Sequence, residues 1–353
     1  MKPAYAIACI IAILHLLPDC AAQDVNVEMR TRFFLLCDNA AAKLRDEHGS
    51  RQFFVDSYAV RALCAAYDMT GNTNYLDACR VWSERMVKYQ EQMVPSGAYY
   101  MHYGRKPGES TNDWYTADSS SIGMAVLATS VRCQGAEKRR FLDSAENFAK
   151  LVMNNYVKPS GGVSDGLWHQ STNEWWCSSA IFGSLLFNLY AHTGDKRYLR
   201  TAMGVTDWLN GWDQNQDQPF PLSQQGPAMI FYVMENYSAG WPYIATDEVR
   251  KKDSLKKITW CLDWMKEQQQ KSIADRQWPP TKSWGLKSGG LPFHEYVFGR
   301  FFPEDHTLMA TGDTELQLLA PLVMGGKSDL PQLPMFMLMS YAERLKPGAI
   351  YKN

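Results

Sequence analysis

The chain has 353 residues, with 36 Lys+Arg against 37 Asp+Glu and a formal net charge of -1. That balance excludes bulk electrostatic attraction to nucleic acid or to an anionic membrane, and 46% hydrophobic with 21% charged residues excludes disordered, collagen-like and coiled-coil chains. Aromatic content departs from the ordinary: 12 Trp, 18 Tyr and 15 Phe make up 13% of the sequence.

At the N-terminus, Lys2 precedes an apolar stretch, Ala6 to Leu17, shorter than the ~20 residues of a membrane span. Pro18, Asp19, Cys20, Ala21 and Ala22 follow. The pattern predicts a secretory signal over residues 1–22, cut near Gln23. Lipid attachment at Cys20 is the weaker alternative, because Pro18 and Asp19 stand where small residues are wanted. Residues 23–353 then form a single secreted or periplasmic domain with no transmembrane segment. Six cysteines remain, Cys37, Cys64, Cys79, Cys133, Cys177 and Cys261, without a CxxC pair. Neither a metal site nor a cofactor is expected, since HExxH, clustered carboxylates and a Gly-rich phosphate loop are all missing from the sequence. An oxidising compartment permits a disulfide, but spacing alone does not pair the cysteines.

Apolar residues at helical spacing, broken by Gly, Asn, Asp and Pro, predict helices near 28–47, 53–69, 73–93, 117–133, 136–156, 174–192, 196–211, 226–240, 250–270, 293–302, 313–324 and 332–345. One segment repeats: Tyr67, Thr70, Gly71, Asn72, Tyr75 and Leu76 recur 123 residues later as Tyr190, Thr193, Gly194, Asp195, Tyr198 and Leu199. Each copy reads as a tight helix–helix turn, with Gly at the left-handed position and Asn or Asp capping the next helix. Thr311-Gly312-Asp313 is a weaker third copy. Twelve helices in six hairpins predict an all-α (α/α)6 toroid, with an open solenoid or a pair of bundles as alternatives. The long inserts at 93–116, 158–172, 212–226 and 271–292 precede alternate helices, so they gather at one mouth beside the inner-helix N-termini.

Trp82, Trp208, Trp260 and Trp264 fall at packing positions of outer helices. Trp114, Trp168, Trp175, Trp176, Trp212, Trp241, Trp278 and Trp284 fall in the inserts or near inner-helix ends. Flat indole faces suit the C–H faces of sugar rings, and the N–H can bond a hydroxyl, so a carbohydrate cleft is expected at the mouth. Its polar groups come from three segments. His169, Asn173 and Glu174 precede one apolar helix, and Asp113 and Asp118 enter another. His294, Arg300 and His306 belong to the third, where Arg is suited to a bidentate grip on a carboxylate or sulfate. Asp118, Asn173 and Asp56 also read as helix caps.

The hairpin turns and aromatic mouth resemble the six-hairpin glycosidase superfamily, and two segments resemble its unsaturated glucuronyl and rhamnogalacturonyl hydrolases. Asp118 with Gly123 is similar to the aspartate-containing helix start of that family. Gly161-Gly162, His169, Asn173, Trp176, Tyr190 and Thr193-Gly194-Asp195 follow the order of its next hairpin. The resemblance implies a reaction in which a carboxylic acid protonates the double bond of an unsaturated uronic acid and water adds to the cation. It also implies a second aspartate two residues after Trp176, where this chain has Ser178.

The sequence therefore predicts a glycoside hydrolase acting on uronate-containing oligosaccharides or polysaccharides, with Asp118 and either Asp113 or Glu174 as the carboxyl pair. Trp114, Trp168, His169, Asn173, Trp175, Trp176, Trp241, Tyr243, Trp284, His294 and Arg300 are its expected substrate contacts. A lyase is the first alternative: His169 or Tyr243 would serve as base and acid, while Asn173 or Arg300 neutralises the uronate. A non-catalytic glycan-binding protein is the second, motivated by Ser178. No nucleic-acid partner is expected.

Overall fold

The computed structural model describes residues 34, 37–38, 40–46, 53–101, 114–166, 174–211, 228–258 and 260. Within them the chain forms α1 (Phe53–Thr70), α2 (Thr73–Gln90), α3 (Thr116–Arg132), α4 (Gly135–Asn155), α5 (Trp176–Thr193), α6 (Lys196–Gly211) and α7 (Ala228–Ile244). Residues 40–45 and 248–258 are helical as well. The expected segments that fall among the described residues form with boundaries shifted by a few residues, and those near 293–302, 313–324 and 332–345 lie outside the described residues. The largest shift is at α7, which continues past Pro242 to Ile244 instead of ending at residue 240. A proline in the last turn forgoes one backbone bond, and the turn is still closed by Ala245 N–H donating to the Trp241 carbonyl at 3.0 Å.

Burial divides the helices into two kinds. In α3 all residues but Val131 are buried, which leaves no solvent face. In α4 burial is confined to Phe141, Ser144, Ala145, Phe148, Ala149 and Val152, the one-sided stripe of an outer helix. By the same criterion α5 is inner, while α2 and α6 are outer. The inner helices lie side by side in the order α1, α3, α5, α7. Tyr58 and Ser121 share a 2.8 Å hydroxyl hydrogen bond between α1 and α3. Between α5 and α7, a Cβ on Gly183 would stand 2.2 Å from Asn236 Oδ1 and one on Gly240 would stand 2.4 Å from the Phe187 ring. Only glycine permits that approach. The rising pairs 183 with 236 and 187 with 240 make the two helices parallel, so the inner N-termini share one end.

The two repeat copies form the same turn. Gly71 and Gly194 have φ of 69° and 71°, and their N–H groups donate to the Tyr67 and Tyr190 carbonyls at 2.7 and 2.8 Å. Asn72 accepts from Asn74 N–H at 3.0 Å, and Asp195 accepts from Arg197 N–H at 2.9 Å. A fully buried ion pair joins Arg61 of α1 to Glu235 of α7, ring members that are not neighbours. The pair spans the interior of the ring, with the guanidinium also 5.5 Å from the Tyr58 ring centroid. The third turn copy at 311–313, Trp264 and residues 1–22 lie outside the described residues.

Candidate active site

The inner-helix N-termini bring buried polar groups to one end of the ring: Asp56 on α1, Asp118 and three successive serines, Ser119 to Ser121, on α3, and Ser178 on α5. Helix α3 begins after Tyr115, which makes no side-chain cap bond. The cap comes from elsewhere. Asp165, in the segment between α4 and α5, accepts from Thr116 N–H at 3.1 Å and from Gly166 N–H at 3.0 Å through Oδ1. The same oxygen accepts from the Ser178 hydroxyl at 3.5 Å. One carboxylate is therefore clamped between the starts of α3 and α5.

Glycine placement explains how the chain reaches that position. A Cβ at Gly161 would meet the Gly204 carbonyl at 2.4 Å, one at Gly162 the Trp208 ring at 2.7 Å, and one at Gly166 the Trp114 carbonyl at 2.6 Å. Isolated bridges pair Val157 with Val163 and Ser164 with Glu174. The segment is thus pressed between α6 and Trp114, and Asp165 is left 2% exposed.

Burial pushes the Asp165 carboxyl up to about 6, against the lowering effect of the two backbone N–H groups and the Ser178 hydroxyl. Its Oδ2 is buried without a hydrogen-bond partner among the described residues. Asp118, 9% exposed, stands in the first turn of α3. The two aspartates act on the same neighbours. The Tyr115 phenol is raised by burial and then by Asp165 and Asp118, and the Cys177 thiol is raised by burial and then by Asp118 and Asp165. The site therefore holds two carboxyl groups in one electrostatic neighbourhood, one of them able to exchange a proton near neutral pH. Deeper in the ring, Glu235 is raised by burial although Arg61 draws it down.

Several expected site residues take other roles. Glu174 spends both oxygens on a latch, accepting from the Ser160 hydroxyl and from the Trp208 indole N–H, the latter at 3.0 Å. That use points it toward outer helix α6 and not toward Asp118. Trp114 and Trp176 are fully buried, and Trp114 packs edge-on against Phe148 and Tyr156 at 6.0 and 5.1 Å. They are core residues and not a sugar platform. Trp241 and Tyr243 lie in the last turn of α7, at the end opposite the inner N-termini. There Tyr243 stacks on Phe187 at 5.9 Å and meets Tyr190 edge-on at 5.1 Å. Trp175 is half-buried beside the start of α5. Asp113, Trp168, His169, Asn173, Trp284, His294 and Arg300 lie outside the described residues, as do Trp212, Trp278 and His306. Sequence reasoning missed Asp165 as a site residue, and the signal available for it was its flanking by Gly161, Gly162 and Gly166.

Among the described residues no group of His, Cys, Asp and Glu suits a metal ion, and no helix is long and apolar enough to cross a membrane. No protein-family model matches the chain, and no curated protein matches it. The solved structures that resemble it include the crystal structure of a family 76 glycoside hydrolase from a bovine Bacteroides thetaiotaomicron strain, with a TM-score of 0.52 and 14% sequence identity over 86% of this chain and 70% of that one. At that identity the likeness establishes architecture alone: the chain has an all-helical α/α-toroid fold.

Proposed function

We propose that the protein is an exported glycoside hydrolase whose carboxyl pair is Asp118 and Asp165. The observation that carries this reading is that Asp118 and Asp165, both buried, both act on Tyr115 and Cys177 at the starts of α3 and α5, with Asp165 held against Ser178. The fold alone does not assign a reaction; the acid pair supplies the reason for this one. Asp165, raised by burial, is the proton donor to the leaving oxygen. Asp118, at a helix start whose dipole favours the anion, acts on the anomeric side as base or nucleophile. Ser178 occupies the position where the resembled hydrolases carry an aspartate, and Asp165, from a different place in the chain, accepts from its hydroxyl at 3.5 Å. The half-buried Trp175 supplies an indole beside the pair.

The finer substrate reading, uronate-containing oligosaccharides, rests on His169, His294 and Arg300 as cationic partners of a sugar carboxylate. Export rests on the leader expected at residues 1–22. The decisive experiment follows reducing-end release from neutral and uronate-containing oligosaccharides by the full-length chain. Asp118→Asn is expected to lower kcat by about 10²–10⁴-fold with the fold intact by circular dichroism. Asp165→Asn should be similarly impaired and lose the pH limb near 6. Turnover of neutral substrates alone would remove the uronate reading. Wild-type rates in both variants would remove the assignment of the pair.

A further inference from the structure

We infer that Cys64 and Cys79 are a disulfide-forming pair that staples hairpin α1–α2, a modification site independent of the glycosidase reading. Their sulfurs are 3.8 Å apart in the core, and each residue is fully buried. The turn at Gly71-Asn72 explains the meeting. Cys64 lies seven residues before Gly71 and Cys79 seven after Asn72. In an antiparallel hairpin, residues equidistant from the turn stand at the same height, so the pairing is set by register and not by chance collapse.

The surroundings also favour exchange chemistry. Arg132, ion-paired with Asp68, places its charge on Cys64. There the contact with Cys79 and the Arg132 charge outweigh burial, and the thiol is held below the ordinary cysteine range. A thiolate is the attacking species in disulfide exchange. Cys79 is raised instead, by burial and then by Cys64, and its Sγ lies 3.4 Å from the Val60 carbonyl. Closing from 3.8 Å to a bonded ~2.05 Å requires a small shift of the two sulfurs toward each other.

The bond forms by two exchanges with a low-molecular-weight or protein disulfide, R–S–S–R. The Cys64 thiolate attacks one sulfur of that oxidant and releases the first R–S⁻, giving a mixed disulfide. The Cys79 thiol then loses its proton and attacks Cys64 Sγ, and the second R–S⁻ leaves. The cysteine pair is oxidised by two electrons, and the reagent is reduced to two thiols. Because both sulfurs are buried in the finished core, the reaction belongs to folding, once the helix Thr116–Arg132 has brought Arg132 to the closed hairpin and while the rest of the ring is still open. Cys133, raised to about 12 by burial and then by Glu137, is the neighbouring thiol that must be excluded as an alternative partner.

The sequence supplies a direct assay. No Lys or Arg lies between Arg61 and Arg80, so trypsin releases residues 62–80 as one peptide containing both cysteines. The full-length chain is produced in an oxidising compartment, equilibrated with oxidised glutathione, denatured and alkylated without reduction. Peptide 62–80 is expected to be unlabelled and lighter by two hydrogen atoms than its reduced form, and cleavage after Tyr67 and Tyr75 should leave its halves linked. Melting with a reductant present should occur about 5 °C lower, and Cys79→Ala should abolish that difference. Alkyl label on both cysteines would overturn the inference. So would glutathione retained on either cysteine, or a link from either cysteine to Cys133.

Discussion

The two ends of the inner-helix ring are built from opposite chemistry. At the N-terminal end the helices begin with Asp56, Asp118, Ser119, Ser120 and Ser178, and α3 borrows its cap from Asp165. At the C-terminal end Tyr243 stacks on Phe187 and meets Tyr190 edge-on, and the chain reverses through glycine turns closed by local backbone bonds. Four unsatisfied N–H groups at each helix start attract carboxylates and hydroxyls, whereas the far end is closed by short turns whose backbone bonds are local. Reactive groups therefore concentrate where the backbone is incomplete, and packing concentrates where it is self-sufficient.

The Arg61–Glu235 pair separates the two ends, and breaking it carries the largest stability effect. Arg61→Leu strands a buried carboxylate and should cost about 3–5 kcal/mol in urea unfolding. Adding Glu235→Leu removes the stranded charge and should recover more than half of the loss. If the double variant is no more stable than the single one, the pair does not act as a unit across the ring.

Asp165 gives the N-terminal end a pH dependence of opposite sign to that of Asp195 at the other end, whose carboxyl is held down to about 2 by Arg197. The folded-state value of Asp165, about 6, lies above the ordinary 3.8, so between these values the native state retains a proton that the unfolded chain has lost. Stability then falls as pH rises from about 4 to about 6, by up to about 3 kcal/mol, and levels off above. Unfolding midpoints measured across that window should show the decline in the wild type and not in Asp165→Asn. A midpoint that rises over the same interval would mean that the three hydrogen bonds to Oδ1 outweigh burial.

The helices and their turns were legible in the sequence because local signals specify them: the Thr-Gly-Asn and Thr-Gly-Asp turns, and apolar stripes at helical spacing. The inner helices were legible from the long inserts that precede alternate helices. The site was less so. Asp118 is readable because it opens a helix, but Asp165 becomes a site residue only when folding brings it to Thr116, 49 positions away in the sequence. Trp114 and Trp176 look like rim aromatics from their place beside an insert, yet each turns inward and is fully buried. Glu174 was drawn off by Trp208, 34 residues later.

Tyr243 tests the assignment of the C-terminal end directly. Read from sequence it is a substrate contact or a lyase acid; in the fold it packs on Phe187 and Tyr190. Tyr243→Ala should cost about 2 kcal/mol through lost burial and ring contacts and leave KM and kcat within about twofold at a temperature where the variant is folded. A large rise in KM with unchanged stability would move the substrate site to the wrong end of the ring.

The smallest expected effect isolates the turns. A Cβ at Gly71 or Gly194 meets nothing within 4 Å, so an alanine there introduces left-handed backbone strain and no clash. Each substitution should cost about 1 kcal/mol, nearly the same at both sites because the two turns share φ and hydrogen bonds. The double variant should show the sum, since the turns have no common partner. Glycan turnover should be unchanged throughout, because neither turn touches the end that carries Asp118 and Asp165. A cost at Gly194 well above that at Gly71 would show that the repeated sequence does not confer equal turns, and that the second hairpin depends on its neighbours where the first does not.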